Sequence, residues 1–318
     1  MLRYIGKRLI LMIPVLLGVS LIIFSIMAMT PGDPAMMILG EGAPADALEA
    51  KRDELGLNDP FVLRYINYLK DAITGDFGES YRTGIKVFDE IKTRLPFTLR
   101  LATISIVTAV IIGLPIGVLS AVKQYSLIDA TTLAISLLVT SMPGFFLAMM
   151  LILVFSLKLG WLPSLGLDSP AAYIMPAIAS ASSTTASLLR MTRSTMLEVI
   201  RQDYIRTARA KGASEHTVIY GHALRNALLP VVTIIGVNFG QALGGSIVIE
   251  QVFAIPGLGQ LMINSIRTKD TPMVMASVIF AAVIASFVNL IVDIVYSYID
   301  PRLTSQFASS RKRKKVEA

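Results

Sequence analysis

The chain has two histidines, His216 and His222, and no cysteine. Neither histidine has a nucleophile beside it or a second ligand at helical spacing, so both read as helix-surface residues rather than parts of a triad or zinc site. The lack of cysteine removes disulfides and thiolate metal sites and leaves the redox compartment open. No Gly-x-x-x-x-Gly-Lys-Ser/Thr run occurs, so there is no phosphate-cradling loop for ATP. The chain is therefore expected to be no enzyme and to bind no cofactor or metal itself. The remaining polar residues suggest another task. Within a long apolar stretch, Asn238 and Gln241 could line a path that solvates a polar solute without gripping it. Gly236, Gly240 and Gly244 recur every four residues there, which makes a flat face for close helix packing. A mid-bilayer carboxylate costs about 2.5 to 3.5 kcal/mol on insertion scales, so each such group should face the interface, a partner or water. Asp129 and Glu250 are accordingly expected at span ends, and Asp293 is expected to pair with a loop arginine.

The stretch 191–229 is too polar to span and too patterned to be a passive connector. It reads as helix, break, helix. The first helix is expected from Thr195 to Lys211, stopped by Gly212, which takes the left-handed conformation readily, and Ser214 can cap the second. Tyr204, Ile205, Ala208 and Gly212 offer a small apolar surface flanked by Arg201, Arg206, Arg209 and Lys211. Such a surface suits a protein groove or lipid headgroups. The plainer reading is a positively charged loop, solvated or resting on anionic lipid.

The elements that position these residues are apolar. Hydrophobic residues make up 54% and charged residues 16%, below the roughly 25% charge usual in soluble domains. The net charge of +7 comes from basic residues gathered beside apolar stretches, with no nucleic-acid motif among them, so no nucleic-acid partner is expected. Six spans can be marked, at 9–29, 98–120, 128–157, 173–191, 228–250 and 273–296. The first reaches about 31 Å at about 1.5 Å per residue, too long for a secretory signal, and no small-x-small site follows. Pro143-Gly144 should bend the third, and the fourth, crowded with Ala, Ser and Thr from Ala177 to Ser187, belongs inside a bundle. The basic residues at Arg3, Lys7, Arg8, Lys123, Arg190 to Arg225, Arg302 and Arg311 to Lys315 place both termini in the cytoplasm.

Between the first two spans lies a segment with helical pattern of its own. One helix is expected from Pro44 to Leu55 before Gly56. A second should be capped by Asp59 at Pro60, with a stripe of Val62, Tyr65, Ile66, Leu69 and Ile73, and end at Gly75. A third should start at Ile85. Helices of this kind could cap the mouth of a pore.

Arg206-Thr207-Ala208, then Gly212, then His222-Ala223-Leu224-Arg225 resembles the cytoplasmic EAA loop of ABC importer permeases, agreeing with its general pattern at Ala208, Gly212 and Leu224. The fuller run from Asp203 to Gly212 and HALRNALLP at His222 to Pro230 resembles the peptide and nickel branch. So do TPGDPA at Thr30, ELGL at Glu54, GDFGES at Gly75 and FAIPGLGQL at Phe253, and the long first outer loop is similar to the B-type member of the usual pair.

The resemblance implies an all-α integral membrane protein with six transmembrane helices and the type I ABC importer permease fold. Residues 1–29 would form the cytoplasmic end and first span, 30–92 an extracytoplasmic helical segment, 93–301 the core with its coupling loop at 192–227, and 302–318 a basic tail. Asp203, Tyr204, Ile205, Arg206, Thr207, Ala208, Arg209, Lys211 and Gly212 would form a coupling helix docked on an ATPase. It further implies a second homologous permease subunit, two ATPase subunits carrying ATP and Mg, and an extracytoplasmic substrate-binding protein. The cargo would be di- or oligopeptides, and the location a bacterial or archaeal cytoplasmic membrane. Nickel, glutathione or another small solute are alternative cargoes for the same build. A stand-alone secondary transporter is the alternative of another class, against which stand the lack of an inverted repeat and of an intramembrane ion-coupling cluster.

Overall fold

The computed structural model describes residues 2–166 and 169–299, and side chains are described for 5–166, 169–242, 246–292 and 294. Among the described residues twelve α-helices follow in order: α1 (Leu2–Met29), α2 (Pro34–Leu39), α3 (Ala45–Glu54), α4 (Phe61–Thr74), α5 (Val87–Val122), α6 (Leu127–Ser141), α7 (Gly144–Leu151), α8 (Ile174–Ile200), α9 (Asp203–Ala210), α10 (Leu224–Val252), α11 (Leu258–Arg267) and α12 (Thr271–Ile299). Wider π turns occupy Ile152–Lys158 and Thr217–Ala223. The side chain of Asp293 and the basic tail lie outside the described residues.

The six expected spans are corrected to four or five. Among the described residues, Ile5–Met29, Val87–Val122, Thr217–Ala242 and Thr271–Val292 are long and apolar enough to cross a membrane. A fifth exists if Leu127–Ser141 and Gly144–Lys158, bent by 103°, make one span. The stretch at 173–191 drops out. It is helical in α8, but it is built from Ala, Ser and Thr with Arg190 at its end, and Ala177, Ala179, Ala181, Ala186 and Leu188 are buried against protein. A helix covered by other helices has no need of the hydropathy that lipid contact demands. The bend at 142 has a local cause: Met142 precedes a proline, which disfavours the helical region, and adopts an extended backbone (φ −90°, ψ 131°).

The chain forms two compact units. One comprises Met1–Arg100 and Ala254–Ile284. Its core joins Val87, Ile91, Leu258, Leu261, Met273 and Ala276, with Phe77 packed on Phe280 at 5.2 Å between ring centroids. Polar ties complete it: Ser80 donates to the Asp270 carboxylate, the Tyr81 amide donates to Asp270 Oδ1 at 3.2 Å, and the Leu258 amide donates to Thr98 Oγ1 at 2.8 Å. Two sequence expectations change here. Asp59 does not cap α4, which begins after Pro60 with no side-chain cap. The helix expected from Ile85 is not separate but the first turns of α5, a single helix of 36 residues.

The other unit comprises Leu101–Phe253 and Ala285–Ala318. Here α5 meets α8 backbone to backbone. A Cβ at Gly113 would stand 2.8 Å from the Thr185 carbonyl oxygen, and one at Gly117 only 2.7 Å from that of Leu189. Gly236 and Gly240 of α10 make room for side chains of α12, for a Cβ at Gly236 would fall 2.2 Å from Val292 Cγ1 and one at Gly240 3.0 Å from Asn289 Oδ1. Ala109, Ala181, Leu188 and Val231 form the core between α5, α8 and α10.

Candidate coupling surface

The helix expected from Thr195 to Lys211 is two helices. Helix α8 ends at Ile200, Gln202 turns extended (φ −71°, ψ 150°), and the short α9 sets off in its own direction from Asp203. Asp203 in the first turn and Arg209 in the last agree with the helix dipole. The end of α9 is a Schellman closure. Gly212 has φ +81°, its amide donates to Arg209 O at 2.9 Å, and the Ala213 amide donates to Ala208 O at 3.2 Å. The next helix starts under Ser214, whose Oγ accepts from the Thr217 amide at 3.3 Å.

One side chain anchors α9. Ile205 is fully buried in a cluster with Val118, Met196, Val218, Ile219 and Ala223, and Ala208 packs on its edge. Burying an isoleucine contributes about 1.5 to 3 kcal/mol relative to leaving it exposed, enough to hold a two-turn helix that would not form alone. A polar tie adds to it: Asn226 Nδ2 donates to the Tyr204 hydroxyl at 2.9 Å. Arg209 donates to both oxygens of Glu215, at 2.7 and 3.2 Å, and this hydrogen-bonded guanidinium lowers the Glu215 pKa while the carboxylate raises that of Arg209. The rest of α9 faces outward. Asp203 and Arg206 have side chains 99% and 78% exposed and only a loose 3.9 Å contact with each other, so both charges can bond elsewhere. Thr207, Lys211 and Gly212 are also exposed.

Of the residues singled out in sequence, the structure thus brings Asp203 to Gly212 together as one buried-anchor, exposed-charge unit. Asn238 and Gln241 stand apart on α10, about 21 Å along the axis from Leu224 to Asn238. Asn238 Nδ2 donates to Ile234 O at 2.9 Å, and Gln241 is exposed.

Asp129 stands in the first turn of α6, at the start of an apolar stretch as expected from the sequence. It is covered by protein, at 3% exposure, and Arg193 grips it with Nε to Oδ1 at 2.6 Å and a second nitrogen to Oδ2 at 2.8 Å. Ser120 Oγ donates to it at 2.6 Å and the Tyr125 amide at 3.0 Å. The carboxylate therefore joins the end of α5, the start of α6 and the part of α8 just ahead of α9. A signal was available: Ser126 and Asp129 have capping-box spacing, and the Asp129 amide donates to Ser126 Oγ at 3.3 Å. Glu250 is likewise buried, with Ser246 Oγ donating to it at 3.2 Å.

Residues 113–305 match the family described as binding-protein-dependent transport system inner membrane component, and residues 1–102 match the corresponding N-terminal family. A dipeptide transport system permease protein of Alkalihalophilus pseudofirmus is 41% identical over 331 residues, covering 95% of this chain and 99% of that one. A glutathione transport system permease protein of Escherichia coli K12 is 43% identical over 303 residues with the same coverage. Among solved structures, an inward-facing MetNI methionine ABC transporter aligns with TM-score 0.55 at 24% identity, over 66% of this chain and 96% of that chain. An amino acid ABC transporter aligns with TM-score 0.53 at 16% identity, over 66% and 94%. These two similarities concern the fold alone.

Proposed function

The chain belongs to the binding-protein-dependent transport system inner membrane component family, and we propose that α9 is the surface through which ATP-driven motion of a partner reaches it. It is a multi-pass, non-catalytic permease subunit of the peptide and glutathione branch of ABC importers. The observation that carries the coupling role is the construction of α9: a helix pinned by one buried isoleucine and presenting Asp203, Arg206 and Lys211 to a neighbour. A protein groove gains charge pairs from such a helix, and force applied to it passes through Ile205 into the α5, α8 and α10 side chains that surround it.

In this reading a second permease completes the pore, two ATPase subunits bind ATP and Mg, and an extracytoplasmic binding protein delivers cargo. Asn238 and Gln241 would line the path. The segment bearing α9 and the amino terminus lie on the cytoplasmic side, in accord with their basic residues. For cargo we favour a small peptide-like solute, glutathione or a dipeptide, over long oligopeptides, because relatives of near-equal identity bear those two names. Outward opening follows from ATP binding one of two states more tightly.

The test is gentle solubilisation of the tagged chain from its native membrane, followed by identification of what copurifies and crosslinking from position 206. Recovery of a second permease with ATPase subunits, and a crosslink from 206 to an ATPase, is the expected result. A chain isolated alone that transports without ATP overturns it. Uptake assays comparing labelled glutathione, dipeptides and nickel then assign the cargo.

A further inference from the structure

A cavity of about 390 Å³ in the first unit is unrelated to α9. Its walls include Phe24, Met27 and Ala28 in the closing turns of the α1 span, and Thr271 and Met275 in the opening turns of the α12 span. A site bounded by the ends of two membrane-crossing stretches lies where hydrocarbon gives way to headgroups.

Among the residues that line the cavity, positive charge is in excess: Arg52, Arg64 and Lys269 against Asp33. Arg52 is paired with Asp33 and with Glu49, each at 2.7 Å, and behind the lining the Asp270 carboxylate is taken up by Ser80 and the Tyr81 amide. Arg64 and Lys269 remain. Arg64 lies over the Phe24 ring at 6.0 Å and Lys269 Nζ donates to Pro31 O at 2.7 Å, and neither forms an ion pair among the described residues. Tyr81 also lines the space; burial raises its phenol pKa, partly offset by Arg64, so it stays a neutral donor. An anion is the ligand this set of donors recognises.

The surroundings narrow the class of anion. On α4, the helix that carries Arg64, the Tyr65 hydroxyl donates to Leu17 O at 3.2 Å and shares a 2.9 Å hydrogen bond with Ser20 Oγ. Leu17 and Ser20 lie roughly 13 to 18 Å along α1 before Met29, well inside the apolar stretch. Helix α4 therefore runs beside the membrane-embedded part of α1 and does not stand clear of it. Val62, Ile66 and Ile73 of α4 are 64%, 42% and 85% exposed, and Ile22 and Ile26 of α1 are 62% and 54% exposed. A soluble anion has no use for such a surface, whereas acyl chains cover it.

We propose that this cavity binds the phosphate headgroup of an anionic phospholipid, with Arg64 and Lys269 as counter-charges and the acyl chains lying along α1 and α4. The proposal rests on the membrane-spanning character of the chain and is independent of the coupling role of α9. It is tested by native mass spectrometry of the purified, delipidated full chain titrated with phosphatidylglycerol, phosphatidylethanolamine or glycerol 3-phosphate. One phosphatidylglycerol should be retained, and the Arg64→Gln/Lys269→Gln double variant should hold it roughly tenfold more weakly. Unchanged affinity in the variant overturns the site. Competition by glycerol 3-phosphate at the lipid's own concentration shows a soluble phosphate ester as the ligand and overturns the lipid assignment. Because a variant can misfold, photoactivatable phosphatidylglycerol is applied to the unaltered chain as well. Labelling within 22–29 or 61–66 is expected; labelling confined to other segments, or a protein subunit crosslinked at position 64 in place of lipid, overturns the proposal.

Discussion

Arg193 and Asp129 face each other across two helices with hydrogen bonds of 2.6 and 2.8 Å and with only 19% and 4% of their side chains exposed. Removing one partner strands a buried charge, whereas removing both does not. Arg193→Ala should therefore destabilise the chain by about 3 to 5 kcal/mol, and Asp129→Leu/Arg193→Met by clearly less. Thermal unfolding in detergent, with the four members of the cycle compared, checks this. A double variant as damaged as the worse single one would show that the pair acts through shape and not through charge.

Ile205 is the sole fully buried residue described in α9. Ile205→Ala should cost about 2 to 5 kcal/mol at this site and release α9 without dissolving the bundle. Hydrogen exchange should rise in 203–211 and stay unchanged in α10. If the variant also reduces uptake while membrane levels hold, the helix transmits force as proposed.

At Gly212 the backbone demand is φ +81°. A β-branched residue there is strained by about 1 to 3 kcal/mol, while Asn tolerates the left-handed region far better. Gly212→Val should uncouple ATP hydrolysis from transport in the assembled importer, and Gly212→Asn should restore most of the coupling. Equal behaviour of the two would separate function from the Schellman closure.

Asp33 accepts from Arg52 and from the Ala35 amide, and the Arg52 hydrogen bond is the largest cause of a carboxyl pKa below the ordinary 3.8. A depressed folded pKa means that the tie is fully present above the unfolded value and is lost as pH falls through the lowered one. Proteolytic protection of the 30–60 segment should be flat from pH 7 to pH 5 and decline below about pH 4.5, first through Glu49, also held down by Arg52, and then through Asp33. Asp33→Asn should remove the lower part of that acid step, leave the part due to Glu49, and lower protection at neutral pH.

What the sequence disclosed was what neighbours along the chain decide. Gly212 stops α9, Ser214 caps the next helix, and Pro143 bends the apolar stretch, because each acts within a turn of itself. The α8 to α9 break at Gln202 carries no glycine or proline and had no such mark. Counting spans failed at 173–191 for a related reason: length and neighbouring charge were visible, but not that protein rather than lipid would cover α8. The Asp129 to Arg193 pair, 64 residues apart, lies beyond any local pattern, although Ser126 hinted at the carboxylate's helical position. Among the site residues, the exposed charges of α9 were legible as a set, while the hydrogen bond from Asn226 to Tyr204 was not.

The π turn at Thr217–Ala223 gives the segment between α9 and α10 one residue more than an α-helix would hold over the same rise. Residue number there is thus as consequential as residue type. Deleting a single position would take out that extra residue and let the stretch relax to an ordinary helix of the same rise, with both sides near their present orientation, whereas adding one would turn the two sides by about 100° against each other. Such an insertion would swing Asn226 away from Tyr204. Substitutions at the exposed positions 217 and 220–222 should be tolerated one by one, whereas a one-codon insertion should silence the subunit without removing a single named contact residue.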